Sequence, residues 1–335
     1  MSESMTLYTA TLLLTNPDVN VPIRATYKSV ISQALHVTLS SGRLDIFVAR
    51  PPETFQETHY VVTQLYLMAA EAAKEDARES VDVRVLLQGI GGFDIGQAKD
   101  TCWEVVAVGK EDGKLMPVFI SERQVSAYSP ALQVLILRMP TRGTGEIVDE
   151  EDEIEIGEAG IVSDSEEEGQ AKPEDDGHDG EYPVVALGGT FDHLHVGHKI
   201  LLTMAGFLAS RILIIGITGP ALLQTKKYKE YMEPLSERSR RVLEFLAYIY
   251  PGLKATTHEI NDIYGDAAKI EDIDALVVSA ETRKGGAAVN KERRRRKMRA
   301  LKVWEIGVVD GSAEGKLSST DIRRRLAETR GESVN

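Results

Sequence analysis

Two periodicities alternate along the second half of this chain. A short apolar run at 183–187 leads into apolar positions at helical spacing over 197–209. A β-branched run at 211–218 follows, bounded by Gly219 and Pro220. Pro234 stands where a helix would start, and Val242, Phe245, Leu246 and Ile249 share one face of the next segment, 235–250. Segments 253–260, 274–279 and 302–309 read as strands, 291–299 as a basic helix, and Ser318 or Ser319 as the cap of a final helix. Strands alternating with helices imply a parallel sheet covered on both faces. Ligands of such sheets bind at the carboxyl ends of the strands.

The first 145 residues are also mixed α/β. Residues 34–50 resemble a hairpin around Ser40–Gly42, 53–74 a helix, and 81–88 a strand. His36 and His59 are isolated there, and the glycine-rich run 89–96 (GIGGFDIG) lacks the Lys-Ser/Thr ending of a phosphate-binding P-loop, so it reads as a plain loop. Between the two patterned regions, residues 146–181 hold 17 acidic side chains against one basic. Such dense like charge repels itself and leaves little to bury, which predicts a disordered linker. The expected organisation is therefore 1–145, a smaller and non-catalytic α/β domain; 146–181, the acidic linker; and 182–335, a catalytic domain.

The net charge of -13 over 335 residues hides a contrast, because residues 182–335 carry 25 basic against 19 acidic side chains. A positive C-terminal domain suits a polyanionic ligand. Cys102 is the single cysteine, which excludes an internal disulfide and fits a reducing compartment. No apolar run approaches the length of a membrane span, and the N-terminus has no basic start before its apolar stretch. The expectation is a cytoplasmic protein, or one also nuclear, with no membrane partner.

Residues 188–199 (GGTFDHLHVGHK) carry the strongest chemical signal. They follow a strand and open a helix. Gly188 and Gly189 let the backbone turn and approach a ligand, and the helix start offers amides to an anion. His195 and His198 lie three apart, so both imidazoles can face one pocket. Zinc is a competing reading of His-x-x-His, but no cysteine lies nearby and Asp192 is the one close carboxylate. Ser318, Ser319 and Thr320 form a second helix start suited to phosphate, with Arg323 one turn later. The basic run 291–299 has no interleaved aromatic residues, which argues against nucleic acid.

The segment GTFDHLHVGH resembles the HxGH signature of the nucleotidyltransferase superfamily. The longer form GGTFDxLHxGHK, with 263–267 (IYGDA), 277–290 (VVSAETRKGGAAVN) and 317–323 (LSSTDIR) in order, resembles phosphopantetheine adenylyltransferases of the eukaryotic and archaeal type. The likeness covers about 182–330 and implies a Rossmann-like catalytic domain. It implies transfer of adenylate from magnesium-bound ATP to 4′-phosphopantetheine, giving dephospho-coenzyme A and pyrophosphate. By this resemblance His195 and His198 meet ATP phosphates, and Lys226 or Lys227 draws the reacting groups together. Gly188, Gly189, Thr190, Phe191, Arg283, Ser318, Ser319, Thr320 and Arg323 belong with ATP. Thr190, Asp192, Lys227, Thr282 and Asn290 belong with the acceptor. Arg238 also matches the family, without an assigned role. No resident metal is implied, and other coenzyme A enzymes are candidate partners. The absence of GxxxxGK[ST] predicts that the kinase step fused to this activity in metazoan relatives is missing. Competing readings are a cytidylyltransferase acting on a small phosphorylated alcohol, and a scaffold without catalysis.

Overall fold

The computed structural model describes residues 7–98, 103–110, 112–115, 133–137, 160–161, 181–307 and 318–329. The chain divides into two compact units, Met1–Glu155 and Ile156–Asn335. The division falls inside the acidic stretch. Most of 146–181, expected to be a disordered linker, lies outside the described residues, as does Cys102. Among the described residues no helix is long and apolar enough to cross a membrane.

The N-terminal unit is built on a five-stranded sheet. Its strands are β1 (Tyr8–Thr15), β2 (Thr38–Val48), β3 (Asp82–Leu87), β4 (Val105–Gly109) and β5 (Gln133–Leu137), in the order β3-β2-β1-β4-β5. Every pairing is parallel. Among the described residues its long helices are α1 (Ile23–Val37) and α2 (Phe55–Glu75), the latter capped by Thr54, whose side chain accepts from the Glu57 amide.

The hairpin expected at 34–50 does not form. Residues 34–37 end α1, and 38–48 run on as one strand. Ser40–Gly42 make a bulge instead of a turn: Tyr8 pairs with Thr38, but Ala10 already pairs with Arg43. Gly42 is needed in that bulge, since a Cβ there would lie 2.9 Å from the carbonyl oxygens of Leu39 and Thr9. A Ser-Ser-Gly run signals a chain irregularity, and the buried β2 residues beyond it, Leu44 to Val48, hold the strand direction.

The C-terminal unit holds β6 (Gly160–Ile161), β7 (Tyr182–Gly189), β8 (Ala209–Thr218), β9 (Lys254–Ile260), β10 (Ala275–Ser279) and β11 (Lys302–Ile306). Their order is β6-β11-β10-β7-β8-β9, and among the described residues only the β6–β11 pairing is antiparallel. Helices are α3 (Val196–Leu208), α4 (Leu235–Ile249), α5 (Arg283–Arg295) and α6 (Ser319–Thr329). The helix expected at 291–299 starts earlier and stops at Arg295. Thus much of VVSAETRKGG is a helix start, not an open loop. Val289 and Gly286 on the buried face of α5 draw the chain onto Val278 and Val303 of the sheet, in one apolar cluster with Val184, Leu276 and Leu301.

Helix α3 lies close against α4 because Gly206 leaves room for the Tyr250 ring. The Tyr250 hydroxyl donates to the Thr203 carbonyl at 2.7 Å. A Cβ on Gly206 would sit 2.2 Å from that ring. Gly206→Ala should therefore destabilise the C-terminal unit by about 1–3 kcal/mol despite alanine's better helix propensity. Urea denaturation checks this, and an unchanged or raised midpoint would refute the packing argument.

Candidate active site

Strand β7 delivers the chain into a tight loop, 190–195, before α3 begins at Val196. Two non-glycine residues in the loop have positive φ, Phe191 at 50° and His193 at 46°. Such backbone costs about 1–3 kcal/mol each and persists only where surroundings enforce it. The enforcement is visible. Phe191 is fully buried, and its ring occupies the space where a Cβ on Gly189 would stand, 2.9 Å away. The Glu233 amide donates to Asp192 Oδ1 at 2.8 Å, and the His193 amide donates to Glu233 Oε2 at 2.8 Å. His193 Nε2 meets the Tyr231 carbonyl at 2.9 Å.

The loop presents two imidazoles together. His195, the N-cap residue of α3, and His198, in its first turn, stack with ring centroids 3.9 Å apart and planes 25° from parallel. Phe191 packs against His198 with ring centroids 5.3 Å apart and the planes tilted by 49°. No side chain caps α3 and its first turn holds no acid, so its leading amides face outward toward the same space. Burial, and secondarily the neighbouring His195, push His198 well below the ordinary imidazole value. His198 is therefore neutral at pH 7 in the free protein.

Three segments distant in sequence are tied to one another at this loop. Ser318 caps α6 by accepting from the Asp321 amide at 3.2 Å. Ser319 Oγ donates to the Asp192 carbonyl at 2.8 Å. Arg323, one turn on, donates to Asp192 Oδ2 at 2.6 Å, to the Lys227 carbonyl at 3.1 Å and to Thr320 Oγ1 at 3.1 Å. The histidine loop, the lysine segment and the α6 start are thus held by one buried guanidinium. A second buried guanidinium, Arg238, grips the ends of the two central strands. It donates to the Thr190 carbonyl at 2.7 Å and, through both terminal nitrogens, to the Thr218 carbonyl at 3.0 Å. Burial is the larger influence on Arg238 and lowers its pKa against the opposing pull of Asp192.

Several side chains expected at the ligands are engaged by partners within the protein. Asp192 is wholly buried, with both carboxylate oxygens engaged by Arg323 and the Glu233 amide. Arg323 itself is 2% exposed and fully committed to protein acceptors. Asn290 exchanges two hydrogen bonds with the Leu301 backbone, at 2.8 and 3.1 Å, and ties α5 to the strand after it. These three hold the site's walls. Thr282 and Arg283 do lie at the carboxyl end of β10. Thr282 Oγ1 accepts from the Ser279 amide, and the exposed Arg283 pairs with Glu305 at 3.0 Å. Gly188 and Thr190 sit at the end of β7.

Lys226 and Lys227 are both exposed. Among the described residues neither ammonium has an acidic partner. Only Lys227 has its backbone fixed to the shared guanidinium, and Tyr228 beside it adopts φ 53°. The basic run 291–299 is largely absorbed. Arg293 is buried and donates to the carbonyls of Ala267, Ile270, Glu271 and Arg299, while Arg295 and Arg296 pair with Glu292.

Sequence reasoning gave Arg238 no role and passed over His193 and Glu233. A signal for Arg238 existed: it lies four residues before Val242 on the inward stripe of α4, a position where a charged group needs buried partners. Among the described residues no group of three or more His, Cys, Asp or Glu could hold a metal ion.

The site combines outward amides at two helix starts, two imidazoles and an exposed lysine. It can hold a polyphosphate and steady negative charge. An anion beside His198 favours its protonated form and raises its pKa, so polyphosphate binding should take up protons near neutral pH. Calorimetry in buffers of differing ionisation enthalpy will read this, and His198→Gln should remove the uptake. Without ligand the sign is reversed. His198, depressed in the folded state, contributes stability above its ordinary value of about 6.5 that is lost as pH falls below it.

The model of the cytidylyltransferase-like family matches residues 186–325. A phosphopantetheine adenylyltransferase of Saccharomyces cerevisiae is 46% identical over 149 residues, 43% of this chain and 49% of that protein. An uncharacterized protein of Schizosaccharomyces pombe is 37% identical over 164 residues, 46% of this chain and 52% of the other. A phosphopantetheine adenylyltransferase of Pyrococcus abyssi is 34% identical over 153 residues, 46% of this chain but 96% of the archaeal protein. The matched region spans about half the length of the two yeast relatives and nearly all of the archaeal one.

Proposed function

Because the chain belongs to the phosphopantetheine adenylyltransferase family of the eukaryotic and archaeal type, we propose that it transfers the adenylyl group of ATP to 4′-phosphopantetheine. The products are dephospho-coenzyme A and pyrophosphate. The observation that carries this reading is the hydrogen-bonded convergence of the histidine loop, Lys227 and the α6 start through Asp192 and Arg323.

The acceptor phosphate is already ionised at neutral pH, so the reaction needs no general base. The obstacle is repulsion between two polyanions and the charge that builds at the α-phosphorus. Catalysis is then positional and electrostatic. Outward amides at the starts of α3 and α6 hold the ATP phosphates. His195 and His198 lie along them, and His198, neutral when free, gains its proton as the phosphates arrive and so matches the charge that must be stabilised. Thr190, at the end of the central strand, holds the acceptor phosphate. Lys227, fixed through its backbone, draws the two phosphates together, and Lys226 is the bystander. Thr282 and Arg283 line the β10 side. Magnesium enters with ATP as part of the substrate. Asp192, Arg238, Arg323 and Asn290 position these groups without touching substrate.

Nucleotide selectivity tests the reading. With 4′-phosphopantetheine as acceptor and equal ATP and CTP, the expected product is dephospho-coenzyme A. Preferential use of CTP, or of phosphocholine as acceptor, would point to a cytidylyltransferase instead. Lys227→Ala should lose far more turnover than Lys226→Ala.

A further inference from the structure

The N-terminal unit repeats the winding of the C-terminal one. Counting strands in chain order within each unit, the N-terminal sheet runs 3-2-1-4-5, and β9-β8-β7-β10-β11 gives the same order. All of these pairings are parallel in both. That order is common among doubly wound sheets, so by itself it means little. Shared irregularities mean more.

In each unit the first helix runs into the second strand with no intervening residue: Val37 to Thr38, and Leu208 to Ala209. Connections of this kind ordinarily take about 2–6 residues. In each unit the central strand has eight residues and begins with a tyrosine, Tyr8 or Tyr182. In each, the register with the second strand slips at the same place, between the first and third residues: Tyr8/Ala10 and Tyr182/Val184. In each, the crossover from third to fourth strand lacks an α-helix among the described residues.

The chemistry differs at the crevice between central and fourth strands. In the C-terminal unit the residue directly after the central strand, Thr190, opens the histidine loop. In the N-terminal unit the loop after β1 reads NPDVNVP, without histidine or glycine. Tyr27, five residues into α1, spans the gap. Its hydroxyl accepts from the Asn16 amide at 3.1 Å and donates to Asp112 Oδ2, beyond β4, at 2.7 Å. Asp112 is 9% exposed. Asn16 follows the central strand as Thr190 does, and Asp112 stands three residues past β4 as Thr282 stands past β10, so a carboxylate lies where the C-terminal unit has an expected ligand residue. The first turn of α1 has no acid and no side-chain cap, so its amides would otherwise suit an anion.

We propose that the N-terminal unit is a second copy of the nucleotidyltransferase winding whose phosphate site is closed by the Tyr27–Asp112 bridge. The comparison of windings does not depend on which acceptor the C-terminal unit uses. The test is binding stoichiometry of inorganic tripolyphosphate on the full chain at low salt, against the Asp112→Asn variant. Asparagine keeps the shape and can still accept from Tyr27, but it removes the charge. The expected result is one additional, weaker and salt-sensitive site in Asp112→Asn relative to the unsubstituted chain, retained when His198 is also replaced by alanine. Two sites on the unsubstituted chain would overturn closure. No added site in a variant with unchanged circular dichroism and melting would overturn the role of the bridge. If the variant fails to fold, competition decides: tripolyphosphate bound to the His198→Ala chain with Asp112 intact, and not displaced by ATP, would overturn closure, and its absence supports it.

Discussion

Replacing His198 by alanine is expected to lower turnover by about 10²–10³-fold, the usual loss when one preorganised charge-stabilising group is removed, equivalent to about 2.7–4 kcal/mol. The melting temperature should change little, because His198 packs against His195 and Phe191 at the edge of the pocket and not within the sheet core. The contribution is large because the imidazole is held ready. Phe191 and His193 are locked in left-handed backbone, and α3 fixes His198 one turn from the loop. In the proposed mechanism it gains charge as the phosphates supply the compensating field. The Michaelis constant for ATP should rise less than turnover falls. Steady-state kinetics with a parallel thermal melt reads both. A variant that turns over at the normal rate would remove His198 from the mechanism.

Arg323→Ala should do the reverse, acting first on structure. It would leave the Asp192 carboxylate buried and without its guanidinium. Breaking one side of a buried pair costs about 3–5 kcal/mol. It would also free the Lys227 carbonyl and Thr320 from their shared donor. For a unit of this size the melting temperature should fall by about 2–4 °C per kcal/mol, hence roughly 6–20 °C. Activity at low temperature should fall too, because the three segments lose their common anchor. A double variant, Asp192→Asn with Arg323→Met, removes both charges and should recover much of the stability but little of the turnover. That split separates positioning from simple folding. If Arg323→Ala melts like the unsubstituted chain, the convergence is not held in the manner described.

The C-terminal winding was legible because strands such as β8 and β10 are short apolar, β-branched runs and α4 carries a one-sided apolar stripe at Val242, Phe245, Leu246 and Ile249. The site was legible as a set of residue types, since GGTFDHLHVGHK must turn after a strand and open a helix. The roles within that set were less so. Asp192, Arg323 and Asn290 are polar residues in motif positions, and spacing does not reveal which way a side chain points. Their burial follows from partners far away in sequence: Glu233 for Asp192, Leu301 for Asn290. The bulge at Ser40–Gly42 was misread as a turn because small residues mark both, and only the register with β1 separates them. The early start of α5 was missed because Gly285 and Gly286 disfavour helix locally, whereas Gly286 lets the helix settle against Val303.

The most direct test of the central claim is phosphorus NMR of a reaction containing the full chain, magnesium, ATP and 4′-phosphopantetheine. A pocket that brings two anions together should yield one pyrophosphate for each newly formed phosphoanhydride of dephospho-coenzyme A. Release of AMP without that anhydride, or no consumption of ATP by the folded chain, would contradict it.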